Sequence, residues 1–437
     1  MKIAFFVRSM VNGGAEKVAA QLTRIWARLG HETVLLTELP TSGGGEYDCS
    51  YVAREFVGGE ATIVPQRLRE LHEKCHFDVV VFNGAINHEW FCDTFCAARA
   101  LGLRTIIIIH HTANNWMYGC CNTKELFMDD VLSKADAMVC VDRMWALWWK
   151  YRGVKSIFIQ NPVSVGGMRD ERGEMRASLS LVNNVEEAVE KLKGKRNIVW
   201  VGRLGDALKR PELAIEVFAK LVASGQLLVA SGAKVVSGQS LVDSDNSDQR
   251  PTTNDQPLTT SHYKMVMLGT CDKATKKRLL SLRPLRSLRQ KSGVASIESP
   301  GFVTNVGDYL AKADAHLFTS ATEVTVPQVV LEAMAAGVET VAFDQPVLRE
   351  EASGEKVVSG QSLVVSERWR KVLEGEEVEC DFDTPEVRQC LMDELHRSQQ
   401  WFATHHLPEL MTWRRWKTRM SIRYLWGRLM KKVVVSC

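Results

Sequence analysis

The sequence has no run of about 18 apolar residues, so no segment reads as a membrane-spanning helix. The apolar stretch at the amino end is broken by Arg8, and no small-residue cleavage site follows. It reads as a strand over 2–8 rather than as a secretory signal. Paired C-x-x-C knuckles are missing among the 11 cysteines, which argues against a structural zinc site. An odd number of scattered thiols suits a reducing compartment, so a cytoplasmic location is expected. Neither sign of charge dominates: 55 Lys and Arg stand against 52 Asp and Glu, net +3, which excludes a polycation built to coat nucleic acid. A G-x-G-x-x-G fingerprint and a Walker loop are both lacking.

What is present is an ordinary globular composition, 45% apolar and 24% charged, in a chain of 437 residues with room for two or three domains. Short runs rich in β-branched residues at 32–37, 78–83, 104–110, 137–142 and 156–161 alternate with helical patterns such as 16–29. Continuous apolar strands of this kind are buried on both faces, hence parallel, and their alternation with helices implies βαβ units. A connection is expected at 166–196. The alternation restarts at 197–202 and runs through 211–223, 265–269, 315–320, 329–336 and 339–344. The expected fold class is therefore α/β, with two Rossmann-like domains facing a central cleft. The expected boundaries are 1–165 for the first domain, 197–390 for the second and 391–437 for a helical segment with a basic tail.

Two stretches break the pattern. Residues 232–262 are polar and rich in Ser, Thr, Asp and Asn, and read as a flexible insert. The segment GAKVVSGQSLV at 232–242 nearly recurs as GEKVVSGQSLV at 354–364, two copies that make no solenoid.

Charge is also unevenly spread. Residues 272–291 sum to +7 and residues 413–432 to +8, so the remainder is acidic. The second stretch mixes Trp413, Trp416 and Trp426 with arginines. Two readings stand side by side: a terminal helix packing back on the first domain, or an interfacial anchor at an anionic lipid surface. No recognition motif accompanies the charge, so nucleic acid is not an expected partner.

Three motifs carry chemistry. Asn12-Gly13-Gly14-Ala15-Glu16-Lys17 lies between a strand and a helix, where glycines let a ligand approach backbone N–H groups. It serves equally well as a tight turn. Val201-Gly202-Arg203-Leu204 closes a strand and is followed by Lys209, a cation pair able to hold a pyrophosphate or simply to face water. In the run from Ser320 to Gly337, Pro327 suits the first helical position and Gly337 the stop. Glu323 then falls in the preceding loop and Glu332 within the helix. The apolar neighbours Leu331, Ala333 and Met334 favour burial of Glu332 and hence a partner for it.

This series, together with GFVTNVGDYLAKADAHLFTSATE at 301–323, resembles the family-four retaining glycosyltransferases of GT-B fold. The resemblance covers about 1–230 and 263–390. It implies that Arg203, Lys209 and the helix beginning near Pro327 meet the diphosphate of a nucleotide-sugar donor. It implies that Glu332 accepts the ribose hydroxyls and Glu323 those of the transferred sugar. Gly13 and Gly14 would lie under the phosphates or the acceptor. A histidine ending the strand 104–110 would touch the donor sugar; of His110 and His111, the latter fits better because Thr112 follows it. The acceptor expected is a glycolipid or surface polysaccharide, with retention of configuration; peripheral membrane contact is expected only through the basic segment 413–432. No cofactor and no metal are expected; Asp381-Phe382-Asp383 lies outside these motifs and reads as a chance match.

One departure from the family pattern stands out. Eight residues separate the two glutamates instead of seven, and Val324 stands where the family has Gly. A nucleotide-sugar epimerase of the same fold and a catalytically inactive nucleotide-sugar-binding protein therefore stay open as alternatives.

Overall fold

A computed structural model describes residues 1–11, 13–40, 47, 49–84, 86, 88–110, 128–162, 178–230, 263–282, 295–323, 326–352, 361–378 and 382–405. In chain order the elements begin β1 (Lys2–Val7), α1 (Gly14–Arg28), β2 (Glu32–Thr37), β3 (Ala53–Phe56), α2 (Ile63–Cys75), β4 (Val79–Asn83) and α3 (Phe91–Ala100). There follow β5 (Arg104–Ile109), α4 (Asp129–Leu132), β6 (Ala137–Cys140), α5 (Arg143–Tyr151), β7 (Ser156–Phe158), β8 (Leu179–Val182) and α6 (Val185–Lys191). Next are β9 (Asn197–Val201), α7 (Pro211–Ala230), β10 (Tyr263–Leu268), α8 (Lys273–Leu280), β11 (Ala295–Gly301), α9 (Val306–Leu310) and β12 (Ala315–Phe318). The series ends with α10 (Gln328–Ala335), β13 (Thr340–Phe343), α11 (Pro346–Ala352), α12 (Gln361–Glu374) and α13 (Pro385–His405).

The chain divides into two compact units. The first comprises Met1–Arg176, Thr322–Ala336 and Asp344–Cys437; the second comprises Ala177–Ala321 and Gly337–Phe343. The first holds a seven-stranded sheet in the order β3-β2-β1-β4-β5-β6-β7, parallel throughout. Alternation along β1 sends Ile3, Phe5 and Val7 into a core shared with α1 and α12. There Phe5 meets Trp26 edge-on at 4.7 Å, and Trp26 meets Trp369 of α12 at 5.5 Å. The opposite face is equally apolar. Phe6 stacks on Phe82 at 5.3 Å, and Phe82 packs against Phe91 and Phe95 of α3. Burial on both faces is why β1, β4 and β5 read as unbroken apolar runs.

The second unit holds a six-stranded sheet in the order β11-β10-β9-β12-β13-β8, again parallel. Ile198, Trp200, Met265, Met267, Leu317 and Val341 form its core with Ala214, Phe218 and Leu221 of α7. The stretch 166–196, expected as a connection, contributes β8 and α6, because Val182, Ala188 and Leu192 are buried in that core. The sequence reading carries the second domain to 390, whereas the compact second unit ends at Phe343. The reason lies in α12: Val365, Trp369, Val372 and Leu373 bury their side chains in the core of the first unit. All of the polar insert 232–262 and all of the basic segment 413–432 lie outside the described residues, as do residues 354–360 of the second repeat copy. Among the described residues no helix is long and apolar enough to cross a membrane.

Candidate functional site

In an open parallel sheet, ligands bind beyond the carboxyl ends of the strands where the strand order reverses direction. In the second sheet that point lies between β9 and β12, and the loop after β9 carries Arg203 and Lys209. The chain fixes this loop firmly. The Thr319 hydroxyl, just past β12, donates to the carbonyls of Lys209 at 2.8 Å and Arg210 at 3.1 Å, and accepts from Trp200 Nε1 at 2.9 Å. Ala321 N donates to the Leu208 carbonyl at 2.7 Å. Arg210 returns the grip, its Nε donating to the Thr319 carbonyl at 2.6 Å and a second guanidinium nitrogen to Ser320 O at 3.1 Å. Its guanidinium carbon also lies 5.2 Å from the centre of the Phe343 ring. This arginine stands one residue past Lys209 at φ 48°, a conformation that is costly outside glycine and that these contacts hold in place.

Arg203 is 67% exposed and donates to Asp206 at 2.8 Å. Together with Gly205, Asp206, Thr270, Cys271, Asp272, Gly301 and Phe302 it lines an open depression of about 700 Å³ at the ends of β9, β10 and β11. Gly269 makes the convergence possible: at φ 141° its Cα faces the Gly202 carbonyl so closely that a β-carbon would overlap it. Asp272 caps α8, and the amide and hydroxyl of Thr275 hold its carboxyl below the usual range. The lining thus offers one guanidinium, already paired with Asp206, and the carboxylates of Asp206 and Asp272, acceptors suited to hydroxyl groups. Lys209 is half-buried and does not line the depression.

Glu323, Pro327 and Glu332 belong to the first unit. Pro327, expected as the first helical residue, stands instead at the N-cap of α10 with ψ 139°, one position before the helix begins at Gln328. Its carbonyl accepts from the amides of Val330 and Leu331 at 2.9 and 3.2 Å, which begins the helix. From Val330 to Ala335 every residue of α10 is buried, so Glu332, 8% exposed, carries its carboxylate in apolar surroundings. The compensating charge is Lys17, whose Nζ meets Glu332 Oε1. Gln328 anchors the start of α10, its Nε2 donating to the Pro162 carbonyl at 2.7 Å and to Gln21 Oε1 at 3.2 Å. Tyr47 lies in the same neighbourhood. Burial, with the charges of Glu332 and Glu16 adding to it, pushes its hydroxyl far above the ordinary tyrosine value. Glu323 is half-buried, and Val324 lies outside the described residues.

Gly13 is the N-cap of α1, and Glu16 folds back so far that a β-carbon at Gly13 would strike its carboxylate. A carboxylate at this place complements the positive helix end, so an anion arriving at Gly13 and Gly14 meets a position already held by Glu16. Nothing crowds Gly14, which is exposed. His111 lies outside the described residues. His110 is described: its Nε2 donates to Asn83 Oδ1 at 2.6 Å, while Asn83 Nδ2 donates to the Ala15 carbonyl at 3.3 Å. That bridge joins the ends of β4 and β5 to the first turn of α1, at the point where the strand order of the first sheet reverses.

The structure therefore brings Arg203 and Lys209 onto one clamped loop. It brings Glu332 to the helix of the glycine turn through Lys17. The cation pair and the glutamates lie in separate units. Sequence reasoning quoted Lys17 without giving it a role and passed over Tyr47, Gln328, Thr319 and Arg210; only the position of Arg210 beside Lys209 hinted at one of them. Asp383, from the chance Asp-x-Asp match, accepts from Lys150 at 2.6 Å and Arg388 at 2.7 Å, a surface ionic link between α5 and the start of α13. Among the described residues no group of three or more His, Cys, Asp and Glu side chains gathers as a metal-ion cluster.

The model of the family "Glycosyl transferases group 1" matches residues 256–369, which include β10, α8, β11, β12, α10 and β13. No curated protein matches the chain. Solved structures do. HepE from Anabaena, in complex with UDP and glucose, is 13% identical with a TM-score of 0.50, over 92% of this chain and 95% of that one. WaaG, a glycosyltransferase involved in lipopolysaccharide biosynthesis, is 13% identical with a TM-score of 0.50, over 93% of this chain and 96% of that one. The likeness to these two structures gives the chain its fold class, the two parallel-sheet α/β units of GT-B.

Proposed function

We propose that the protein is a retaining glycosyltransferase that moves a sugar from a nucleotide-sugar donor to a hydroxyl of a glycolipid or surface polysaccharide. The observation that carries this reading is the clamped loop 203–210 at the switch point of the second sheet, with Arg203 at the edge of an open polar depression. A guanidinium and an ammonium at the end of a strand suit a diphosphate. The family match over 256–369 spans the segment with both glutamates, and HepE, a protein of like fold, is bound to UDP.

In this reading Arg203 and Lys209 stabilise the negative charge that grows on the leaving diphosphate as the glycosidic bond lengthens. Stabilisation that exists mainly in the transition state appears in kcat. The start of α10 at Pro327 also faces the phosphates. Glu332 accepts two ribose hydroxyls, contacts that change little during reaction and so appear in KM. Glu323 orients the transferred sugar, and a histidine at the end of β5, His111 by the sequence pattern, contacts it near the reacting carbon. Gly13 and Gly14 take the acceptor side. Membrane contact rests on the sequence of 413–432 alone.

A thermal-shift and calorimetric panel of nucleotide-sugars and free nucleoside diphosphates tests the reading. Binding of a nucleotide-sugar, with sugar transfer or slow donor hydrolysis that falls in Glu332→Gln, supports it. Binding without turnover identifies a binding protein, and an altered sugar still attached to its nucleotide identifies an epimerase. No stabilisation by any member of the panel refutes it.

A further inference from the structure

Glu332 poses a problem that its expected role alone does not solve. A carboxylate accepts hydroxyl hydrogen bonds well only while it is ionised. Burial of a carboxylate in apolar surroundings is costly unless a partner charge or hydrogen bonds compensate it. Glu332 is 8% exposed, on a helix buried along the length from Val330 to Ala335. Tyr47 lies nearby, its phenol held neutral by burial and by the charges of Glu332 and Glu16. Against this burial stands Lys17, 18% exposed, one turn into α1, with Nζ on Glu332 Oε1.

We propose that Lys17 is the positioning residue of the nucleotide site: its ammonium pairs with Oε1 of Glu332 and so fixes the carboxylate that receives the hydroxyls of a nucleoside ribose. The proposal rests on the reading of Glu332 as the ribose acceptor. Lys17 is held in place by its own helix. Its amide donates to the Gly13 carbonyl at 3.1 Å, and the next residue, Val18, is buried in the core of the first unit. The glycine turn therefore serves the donor at one remove, by starting the helix that delivers this ammonium.

The test titrates the full-length wild type, Lys17→Met and Lys17→Arg with UDP and UDP-glucose by calorimetry. The expected result is affinity roughly tenfold weaker for Lys17→Met, with Lys17→Arg near wild type. A ligand-free arm follows thermal unfolding of Lys17→Met, Glu332→Gln and the double variant. Lys17→Met loses stability, and the double variant loses less than the sum of the two single changes. Lys17→Met binding like the wild type overturns the proposal alone. An equal loss of affinity in Lys17→Arg and Lys17→Met also overturns it, as the mark of a merely structural role. Failure of the wild type to bind either nucleotide overturns the donor reading and the proposal with it, while the ligand-free arm still reports whether the pair is coupled.

Discussion

The hydroxyl of Thr319 donates to the Lys209 carbonyl at 2.8 Å while accepting from Trp200 Nε1, so one buried side chain ties the cation-bearing loop to the end of β12. Thr319→Val keeps the shape and removes both functions. It leaves the Trp200 N–H without its acceptor and the carbonyls of Lys209 and Arg210 without this donor, at a cost of about 1–3 kcal/mol of stability. If the loop presents Lys209 to a leaving diphosphate, kcat falls more than KM rises. Thr319→Ser keeps the hydroxyl and restores most of both. Denaturant unfolding and steady-state kinetics of the two variants check this.

The two proposed roles separate kinetically. Arg203→Ala or Lys209→Met removes charge stabilisation that grows only toward the transition state, and kcat is expected to drop by about 10²-fold. Glu332→Gln removes contacts present before and during reaction, so KM for the donor rises while kcat changes far less. The opposite pattern in initial-rate measurements reverses the assignment.

Trp26 and Trp369 meet edge-to-face in the core of the first unit, their rings 5.5 Å apart and inclined at 67°. Trp369→Ala leaves a large cavity between α1 and α12 and is expected to cost about 3–5 kcal/mol. Trp369→Phe retains an aromatic edge and costs less. Because this core also holds Val18 of α1, thermal unfolding and donor affinity should fall together in Trp369→Ala.

The pattern of these contacts explains which parts of the molecule could be read from the sequence. Strands β1, β4 and β5 are buried on both faces and announce themselves as unbroken runs of Ile, Val and Phe. Strand β3, with sequence AREF, is an edge strand whose residues are all exposed or half-buried, so it has no such signature. Strand β8 is short and follows a charged, glycine-containing stretch, so it passed for part of a connection. The helix carrying Trp369 overlaps the near-repeat 354–364, and the recurrence drew more notice than its helical period. At the site, burial of Glu332 was legible from Leu331, Ala333 and Met334. Its partner was not, since Lys17 lies at the other end of the chain and only the tertiary fold joins them. The clamp on the cation loop was hidden for the same reason: Thr319 acts through backbone carbonyls, which leave no mark on residue type.

His316 supplies a pH dependence that needs no ligand. It lies in the middle of the second sheet, fully buried, with Nδ1 3.4 Å from Thr340 Oγ1. Burial lowers its pKa from 6.5 to about 3. The folded protein therefore keeps this imidazole neutral between about pH 3 and 6.5, while the unfolded chain protonates it. The unfolded state binds more protons in that window, so stability falls as pH drops below 6.5, by roughly 1 kcal/mol per pH unit from this group. Above 6.5 both states are neutral and the contribution is flat. His316→Leu removes the titrating group at modest cost in volume and should flatten the acid limb of the second unit's unfolding curve between pH 4 and 6.5. An unchanged acid limb in that variant would assign the loss to carboxylates instead.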